Sequence, residues 1–331
     1  MLNNINDSVI IGLSQSKKLA KEIAKLSDIR LIEPVITKFA DGELLFSIPE
    51  PIRELNVFLV QSTSKPVNDS IMELLIAIDA VRRASAKTIN VLIPYYGYSR
   101  QDRKAKGREP ITSRLIADLL EKAGATRVLT VDIHSQQQQG FFTIPFDSLT
   151  AIWLMLDDLI TNKRIIRDDL VIVSPDYGSV KRTRSIASKI NCDFAIIDKN
   201  RVGQNKVESS EILGNVDNKN CLIFDDIIDT GGTIIQGCKI LKEKGAKSID
   251  IVATHGLLNK NCIANFIEAN KNGLINKVYI TDTIQREEKL PDFFSVISIA
   301  ELISSAVSIF AHGKHCISSV YEKYSFFKFF E

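Results

Sequence analysis

Short, near-continuously apolar runs recur along the chain at Val57 to Gln61, Ile89 to Ile93, Val128 to Val131, Leu170 to Val173, Phe194 to Ile197, Leu222 to Phe224 and Ile249 to Ala253. Longer stretches with helical spacing separate them. Strands that lack alternation are buried on both faces, the habit of parallel sheets covered by helices. The pattern therefore predicts an α/β fold. A weak internal repeat refines it: NVFLVQS from Asn56, a helix and AKTINVLI from Ala86 echo NCLIFDD from Asn220, a helix and AKSIDIVA from Ala246. Gly124 to Val131 repeats the helix-end, strand-start signal, and Gly245 suits a left-handed helix cap. Both halves read as one doubly wound parallel-sheet unit used twice, with a first domain over 1–149 and a second over 150–331. The boundary falls after PFDSL, near Leu149.

Composition supports two domains with cores of their own, since 331 residues exceed the roughly 150 of an average domain. With 45% apolar and 25% charged residues, the chain is neither disordered nor a disulfide scaffold. The 42 basic and 40 acidic residues leave a net charge of +2, so no global field draws the chain to nucleic acid or an anionic membrane. Its opening, MLNNINDSVIIGLS, lacks a secretory pattern, and no run of about 18 apolar residues occurs, so a cytoplasmic protein is expected. Cys192, Cys221, Cys238, Cys262 and Cys316 form no CxxC pair and read as reduced, mostly buried residues. The tail with Phe326, Phe327, Phe329 and Phe330 reads as terminal packing or disorder rather than a membrane anchor.

The strongest chemical signal runs from Cys221 to Leu241, CLIFDDIIDTGGTIIQGCKIL. A strand ends in Asp225 and Asp226, a short turn follows, and Asp229-Thr230-Gly231-Gly232-Thr233 opens a helix. Glycines let successive amides face one point, threonines add hydroxyls, and a helix start adds positive potential, so the segment can cradle a phosphomonoester. The two acids would repel bare phosphate; they suit sugar hydroxyls or hydrated magnesium. A simple Asp/Thr helix cap is the alternative, although capping does not require the acids. The segment resembles the phosphoribosyl-pyrophosphate motif of phosphoribosyltransferases and their relatives.

Other motifs admit two readings each. Tyr98-Ser99-Arg100-Gln101-Asp102-Arg103-Lys104 packs three cations into five residues and suits a nucleotide, or else is a solvated basic loop. His134 ends a strand after Asp132, and Asp176 ends another; a lone His is more often a satisfied polar residue than a metal ligand. Lys199 and Arg201 precede VGQNKVESSE, whose composition suggests a mobile loop able to close over a reacting group, with a solvated pair as the alternative.

FADGELLFSI from Phe39, IPYYGYSRQDRKAKGREPIT from Ile93, VDIHSQQQQGFF from Val131, VSPDYG from Val173 and IIDKNR from Ile196, followed by the phosphate loop, closely resemble the phosphate-activated, magnesium-dependent ribose-phosphate pyrophosphokinase family. The likeness runs from about residue 9 to about 320. It implies phosphoribosyltransferase-type domains and transfer of a diphosphate from MgATP to the C1 hydroxyl of ribose 5-phosphate. By resemblance, Lys199 and Arg201 are catalytic, and Phe39, Asp41, Gly42, Glu43, Arg100, Gln101 and Asp102 contact ATP. His134 and Asp176 hold Mg2+, and Arg201, Asp225, Asp226, Asp229, Thr230, Gly231, Gly232 and Thr233 receive ribose 5-phosphate. Phe39, Asp41 and Glu43 would approach adenine from a neighbouring subunit, which implies a homo-oligomer, by family likeness a hexamer built from dimers.

A phosphoribosyltransferase would need one such domain and no RQD segment, and a catalytically dead regulator should have lost Lys199, Arg201 or His134. A transcription regulator would need a DNA-binding module for which no length is spare. The resemblance also carries departures. Tyr177-Gly178-Ser179 follow Asp176 where relatives often have small residues, or His and Gly, and Pro51 and Cys316 stand where relatives have Ser in an inter-subunit effector site. Those two changes imply weaker phosphate activation and ADP inhibition, because proline has no amide hydrogen and a thiol donates weakly.

Overall fold

The computed structural model describes residues 7–165, 168–201, 207–313 and 315–324, with the backbone alone described at 199–201 and 207–210. The chain forms two compact units. The first holds the chain up to Ala151 with Asp282–Arg286 and Ser298–Glu322; the second holds Ile152–Thr281 and Glu287–Ile297.

The first unit contains β1 (Ser8–Gly12), α1 (Lys17–Ser27), β2 (Arg30–Ile32), β3 (Val35–Lys38), β4 (Leu44–Ser47), β5 (Asn56–Val60), α2 (Val67–Arg83), β6 (Thr88–Ile93), α3 (Thr112–Ala123), β7 (Arg127–Val131) and β8 (Phe146–Leu149). Its six-stranded parallel sheet runs β2-β1-β5-β6-β7-β8, and β3 and β4 form a separate antiparallel hairpin. The apolar runs read from the sequence are β5, β6 and β7, with Gln61 just past the end of β5. All five β5 residues are buried. Helix α1 shows how sequence selects a face: Leu19, Ala20, Ile23 and Ala24 are buried, while Lys17, Lys18, Lys21, Glu22 and Lys25 are exposed.

The second unit contains α4 (Ile152–Thr161), β9 (Leu170–Ser174), α5 (Val180–Ile190), β10 (Asp193–Arg201), β11 (Val207–Leu213), β12 (Asn220–Ile228), α6 (Gly232–Glu243), β13 (Ser248–Gly256), α7 (Cys262–Lys271), β14 (Lys277–Thr281) and β15 (Phe294–Ile297). Its sheet runs β11-β10-β9-β12-β13-β14-β15 and is parallel except for the β10–β11 hairpin. The fold is thus two doubly wound, largely parallel sheets, as the sequence pattern predicted. Helix α6 ends as its glycine suggests: Gly245 adopts φ +89°, and a side chain there would strike Asp217.

The structure differs from the contiguous division into 1–149 and 150–331. The last long helix, α8 (Ala300–His312), packs against α1 and belongs to the first unit. Asp282 secures its start, accepting hydrogen bonds from the Ile299 amide at 2.8 Å and the Ser298 hydroxyl at 2.6 Å. Burial, more than any other influence, holds the Asp282 carboxyl above its ordinary range. This long-range pairing of helix faces leaves no local mark in the sequence.

Candidate functional site

In doubly wound sheets, ligands bind beyond the carboxyl ends of the strands at the point where strand order reverses. In the second unit that point lies between β9, whose chain continues outward to β10, and β12, which continues to β13. The ladder between β9 and β12 stops at Val173↔Ile223, whereas β12 stays paired with β13 as far as Ile228↔Gly256. Asp225 and Asp226 therefore sit inside a strand that has lost one neighbour, and not at its end as the sequence suggested. Asp176 follows β9 on the other side of this opening.

Asp225 feels the other two carboxylates. Burial pushes the Asp225 carboxyl well above its ordinary range, and a hydrogen bond to Asp226 together with the charges of Asp226 and Asp176 push the same way. The Asp226 amide donates to Asp225 Oδ1 at 2.8 Å and partly offsets this. A carboxyl so placed favours its neutral form more than an exposed one does, and a cation or hydrogen-bond donor would draw it back toward the ionised form. Asp176 Oδ1 also accepts from the Ser179 amide at 3.0 Å and its hydroxyl at 3.2 Å, which fixes the start of α5.

The loop beyond β12 is held from behind. Asn259 donates its side-chain amide to Asp229 Oδ1 at 2.8 Å and its backbone amide to the Asp229 carbonyl at 2.9 Å. Gly231 caps α6 with φ +76°, and a Cβ there would lie 2.3 Å from Phe266 Cε2 and 3.0 Å from Cys262 Sγ. Gly232 differs: a Cβ there would meet nothing within 4 Å, so its open side faces free space. Thr230, Gly232 and Thr233 are exposed, as groups must be that meet a phosphate. Sequence reasoning missed Asn259, Phe266 and Cys262, which lie some thirty residues beyond the motif and meet it only through the fold.

Lys199 and Arg201 lie on β10, whose backbone pairs with β11 at Lys199↔Ser210 and Arg201↔Val207. The expected loop is thus a strand up to Arg201 and a strand again from Val207, because hairpin pairing overrides the polar, glycine-containing composition. The side chains of Lys199 and Arg201, and residues 202–206, lie outside what is described. Tyr177, exposed beside Asp176, hydrogen-bonds to Asp198 on β10, and that bond is the main reason its phenol is held protonated above its usual range.

In the first unit, the corresponding reversal between β1 and β5 is filled from within. The Gln15 amide donates to Gln61 Oε1 at 3.0 Å, the Ser62 amide donates to Ser16 Oγ at 2.8 Å, and the Ser62 hydroxyl meets the Thr283 carbonyl. The segment expected to meet a nucleotide lies elsewhere, beyond β6. Thr112 Oγ1 donates to Gln101 Oε1 at 2.6 Å, which turns the Gln101 amide hydrogens toward other partners. Arg100 and Gln101 are exposed and Asp102 is half-buried. His134 is exposed three residues beyond β7, and Asp132 is a structural anchor, accepting from the Ala151 amide at 2.9 Å. Phe39, Asp41, Gly42 and Glu43 form the tip between β3 and β4, where Asp41 Oδ1 accepts from the Glu43 amide at 3.0 Å and Phe39 keeps 48% of its surface exposed.

Among the described residues, no three His, Cys, Asp or Glu side chains enclose a metal ion. Carboxylates nonetheless suit magnesium, a hard cation that takes few protein ligands and completes its shell with water and substrate phosphates. Asp176, a single carboxylate beside the crevice, suits such an ion, most of whose shell would be water and substrate phosphate.

An open crevice with paired acids and a glycine phosphate loop, on a doubly wound sheet, defines a phosphoribosyltransferase-class domain. Residues 147–283 match the family model of the phosphoribosyl transferase domain, and residues 8–124 match that of the N-terminal domain of ribose phosphate pyrophosphokinase. The chain is 52% identical over 320 residues to the ribose-phosphate pyrophosphokinase of Ureaplasma parvum, covering 97% of this chain and 96% of the relative. It is 46% identical over 302 residues to that of Thermotoga maritima, covering 91% and 94%. The crystal structure of phosphoribosylpyrophosphate synthetase from Mycobacterium smegmatis superposes with a TM-score of 0.85 at 36% identity, covering 93% of this chain and 99% of that one. This chain belongs to the ribose-phosphate pyrophosphokinase family.

Proposed function

We propose that the protein transfers the β,γ-diphosphate of MgATP to the C1 hydroxyl of ribose 5-phosphate, giving 5-phosphoribosyl 1-diphosphate and AMP. The carrying observation is the open crevice between β9 and β12, where a carboxyl poised to accept a cation or sugar hydroxyls adjoins a phosphate loop built on Gly231 and Gly232. The names of its full-length relatives support the same reaction.

In this reading Asp229, Thr230, Gly231, Gly232 and Thr233 receive the 5-phosphate, and Asp225 and Asp226 take the ribose hydroxyls. Arg100, Gln101 and Asp102 bind ATP, with Phe39, Asp41, Gly42 and Glu43 completing a neighbour's site. Magnesium would neutralise phosphate charge, with His134 in the first unit and Asp176 in the second as the ligands that the resemblance names. The C1 oxygen bonds to the β-phosphorus, the bond from that phosphorus to the bridging oxygen breaks, and AMP leaves with that oxygen. The hydroxyl proton passes to solvent. Lys199 and Arg201 oppose the charge on the transferring group, so the protein acts mainly by positioning and electrostatics. An exposed aromatic at a hairpin tip fits a homo-oligomer, a hexamer in this reading. No helix among the described residues is long and apolar enough to cross a membrane. A cytoplasmic setting is part of this reading. Incubation with ribose 5-phosphate and MgATP tests the reaction. AMP and phosphoribosyl diphosphate should appear in equal amounts, and ADP in place of AMP would refute it.

A further inference from the structure

The hairpin of β10 and β11 loses its support partway along. The ladder between β9 and β10 stops at Ser174↔Ile196, and β11 is the edge strand of the sheet, so beyond Ile196 the two strands pair only with each other. Ile197 still lies in the core, 1% exposed and against α6, where a Cβ at Gly237 would lie 2.9 Å from Ile197 Cδ1. Asp198 is the first residue past that anchor. From there the ribbon carries the backbone of Lys199 and Arg201, and its ladder is irregular between Asn200 and Arg201. A two-stranded ribbon by itself is marginally stable in water. This one has a further weakness: Asp198 stands directly opposite Glu211, and like charges facing each other across an antiparallel pair repel.

A side chain from outside the ribbon meets Asp198. Tyr177, 58% exposed, donates its hydroxyl to the Asp198 carboxylate and also feels the charge of Glu211. The turn that presents Tyr177 is well braced. Besides the two bonds that Asp176 Oδ1 accepts from Ser179, the Ser174 hydroxyl donates to the Asp176 carbonyl at 2.8 Å, and the Thr183 hydroxyl donates to the Ser179 carbonyl at 2.8 Å. Gly178 keeps the turn tight, since a Cβ there would lie 3.3 Å from Asp176 Oδ1. Tyr177 thus joins a fixed turn beside the crevice to a ribbon that the sheet no longer holds.

We propose that Tyr177 is a positioning residue: by holding Asp198 and offsetting its repulsion from Glu211, the Tyr177 hydroxyl fixes the ribbon, and with it the backbone of Lys199 and Arg201, against the Asp176 turn. Its part in turnover rests on the proposed diphosphate transfer. The tie itself does not.

Two measurements on the full chain test this: amide hydrogen exchange without substrates, and steady-state rates with MgATP and ribose 5-phosphate. In Tyr177→Phe, protection across Val207–Leu213 should fall about threefold to tenfold, the scale of one neutral-strength hydrogen bond at an exposed site. Protection of β12 and the melting temperature should stay as in wild type. Turnover should fall by a similar factor with both KM values unchanged, because the tie touches neither substrate. Adding Glu211→Gln to Tyr177→Phe should recover part of both losses by removing the repulsion, a response that a residue merely filling space would not give. Equal exchange in wild type and Tyr177→Phe overturns the tie. Lost protection with unchanged kcat overturns its part in catalysis, as does a raised KM at unchanged kcat, which would make Tyr177 a substrate contact. No recovery with Glu211→Gln overturns the charge argument. A wild type that forms no AMP refutes the diphosphate transfer and the catalytic use of the tie, and exchange still decides whether the tie exists.

Discussion

Gly231 and Gly232 are adjacent in sequence, yet alanine should affect them oppositely. At Gly231 the added Cβ must adopt φ +76° and lie 2.3 Å from the Phe266 ring. A left-handed backbone costs a non-glycine residue about 1–2 kcal/mol, and forcing an extra methyl into a packed site costs about 1–3 more. The sum, roughly 2–5 kcal/mol, corresponds to a melting temperature lower by about 5–15 °C for a unit of this size. At Gly232 the added methyl meets nothing within 4 Å, and alanine is the better helix former, so melting should stay level or rise slightly. What Gly232→Ala obstructs is the approach of a phosphate to the loop. Its KM for ribose 5-phosphate should rise about tenfold or more with little change for ATP, the scale of losing one charge-assisted contact. Scanning calorimetry and initial rates on both variants decide the matter. A Gly231→Ala protein that melts normally, or a Gly232→Ala protein with an unchanged KM for ribose 5-phosphate, would refute the account of the loop.

Lys199→Ala should melt normally and lose at least about 100-fold in turnover, the scale of one preorganised charge partner; near-normal turnover removes Lys199 from the catalytic set. Asp225 has a folded carboxyl raised above its unfolded value, so its contribution to stability is full in acid and is lost as pH rises through the folded value. Asp225→Asn should therefore stabilise the chain at neutral pH, show no gain near pH 3, and weaken ribose 5-phosphate binding, as melting curves against pH and KM values would show. Asn259→Ala should raise the KM for ribose 5-phosphate without altering that for ATP, since it frees only Asp229; an ATP-selective change would contradict this. Pro51 and Cys316, both exposed in the first unit, should leave the enzyme less dependent on phosphate than one carrying serine at both positions, so Pro51→Ser with Cys316→Ser should steepen a phosphate titration of initial rate.

The seven apolar runs visible in the sequence all became central strands, because burial on both faces demands apolar residues at every position. Among the strands outside those runs, β1 and β14 are buried interior strands of the same apolar kind, and others differ in environment. β3 and β4 form an exposed hairpin, β11 is polar and lies at an edge, and β15 is a four-residue strand at the opposite edge. At the site, the phosphate loop was legible because its chemistry is local: acids, glycines and hydroxyls within nine residues. Its supports were not legible. Asn259 reaches Asp229 from beyond the next strand, and the reason Gly231 must be glycine is an aromatic ring thirty-five residues away. The extension of β12 past Asp226 depends on continued pairing with β13 alone, which no pattern within β12 records.

The placement of α8 bears on the order in which the molecule can acquire its structure. A ribosome releases the first unit's sheet early, but the helix that covers α1 is synthesised after the whole of the second sheet. Until then the α1 surface awaits Leu302, Ile303, Ala306 and Val307, all buried in the finished protein. The second sheet needs no such late arrival: its strands from Leu170 to Ile297 are all translated before α8 begins. Nascent chains usually mature from the amino end. Here the later-made half has all its strands first, and the earlier-made half is the last to close.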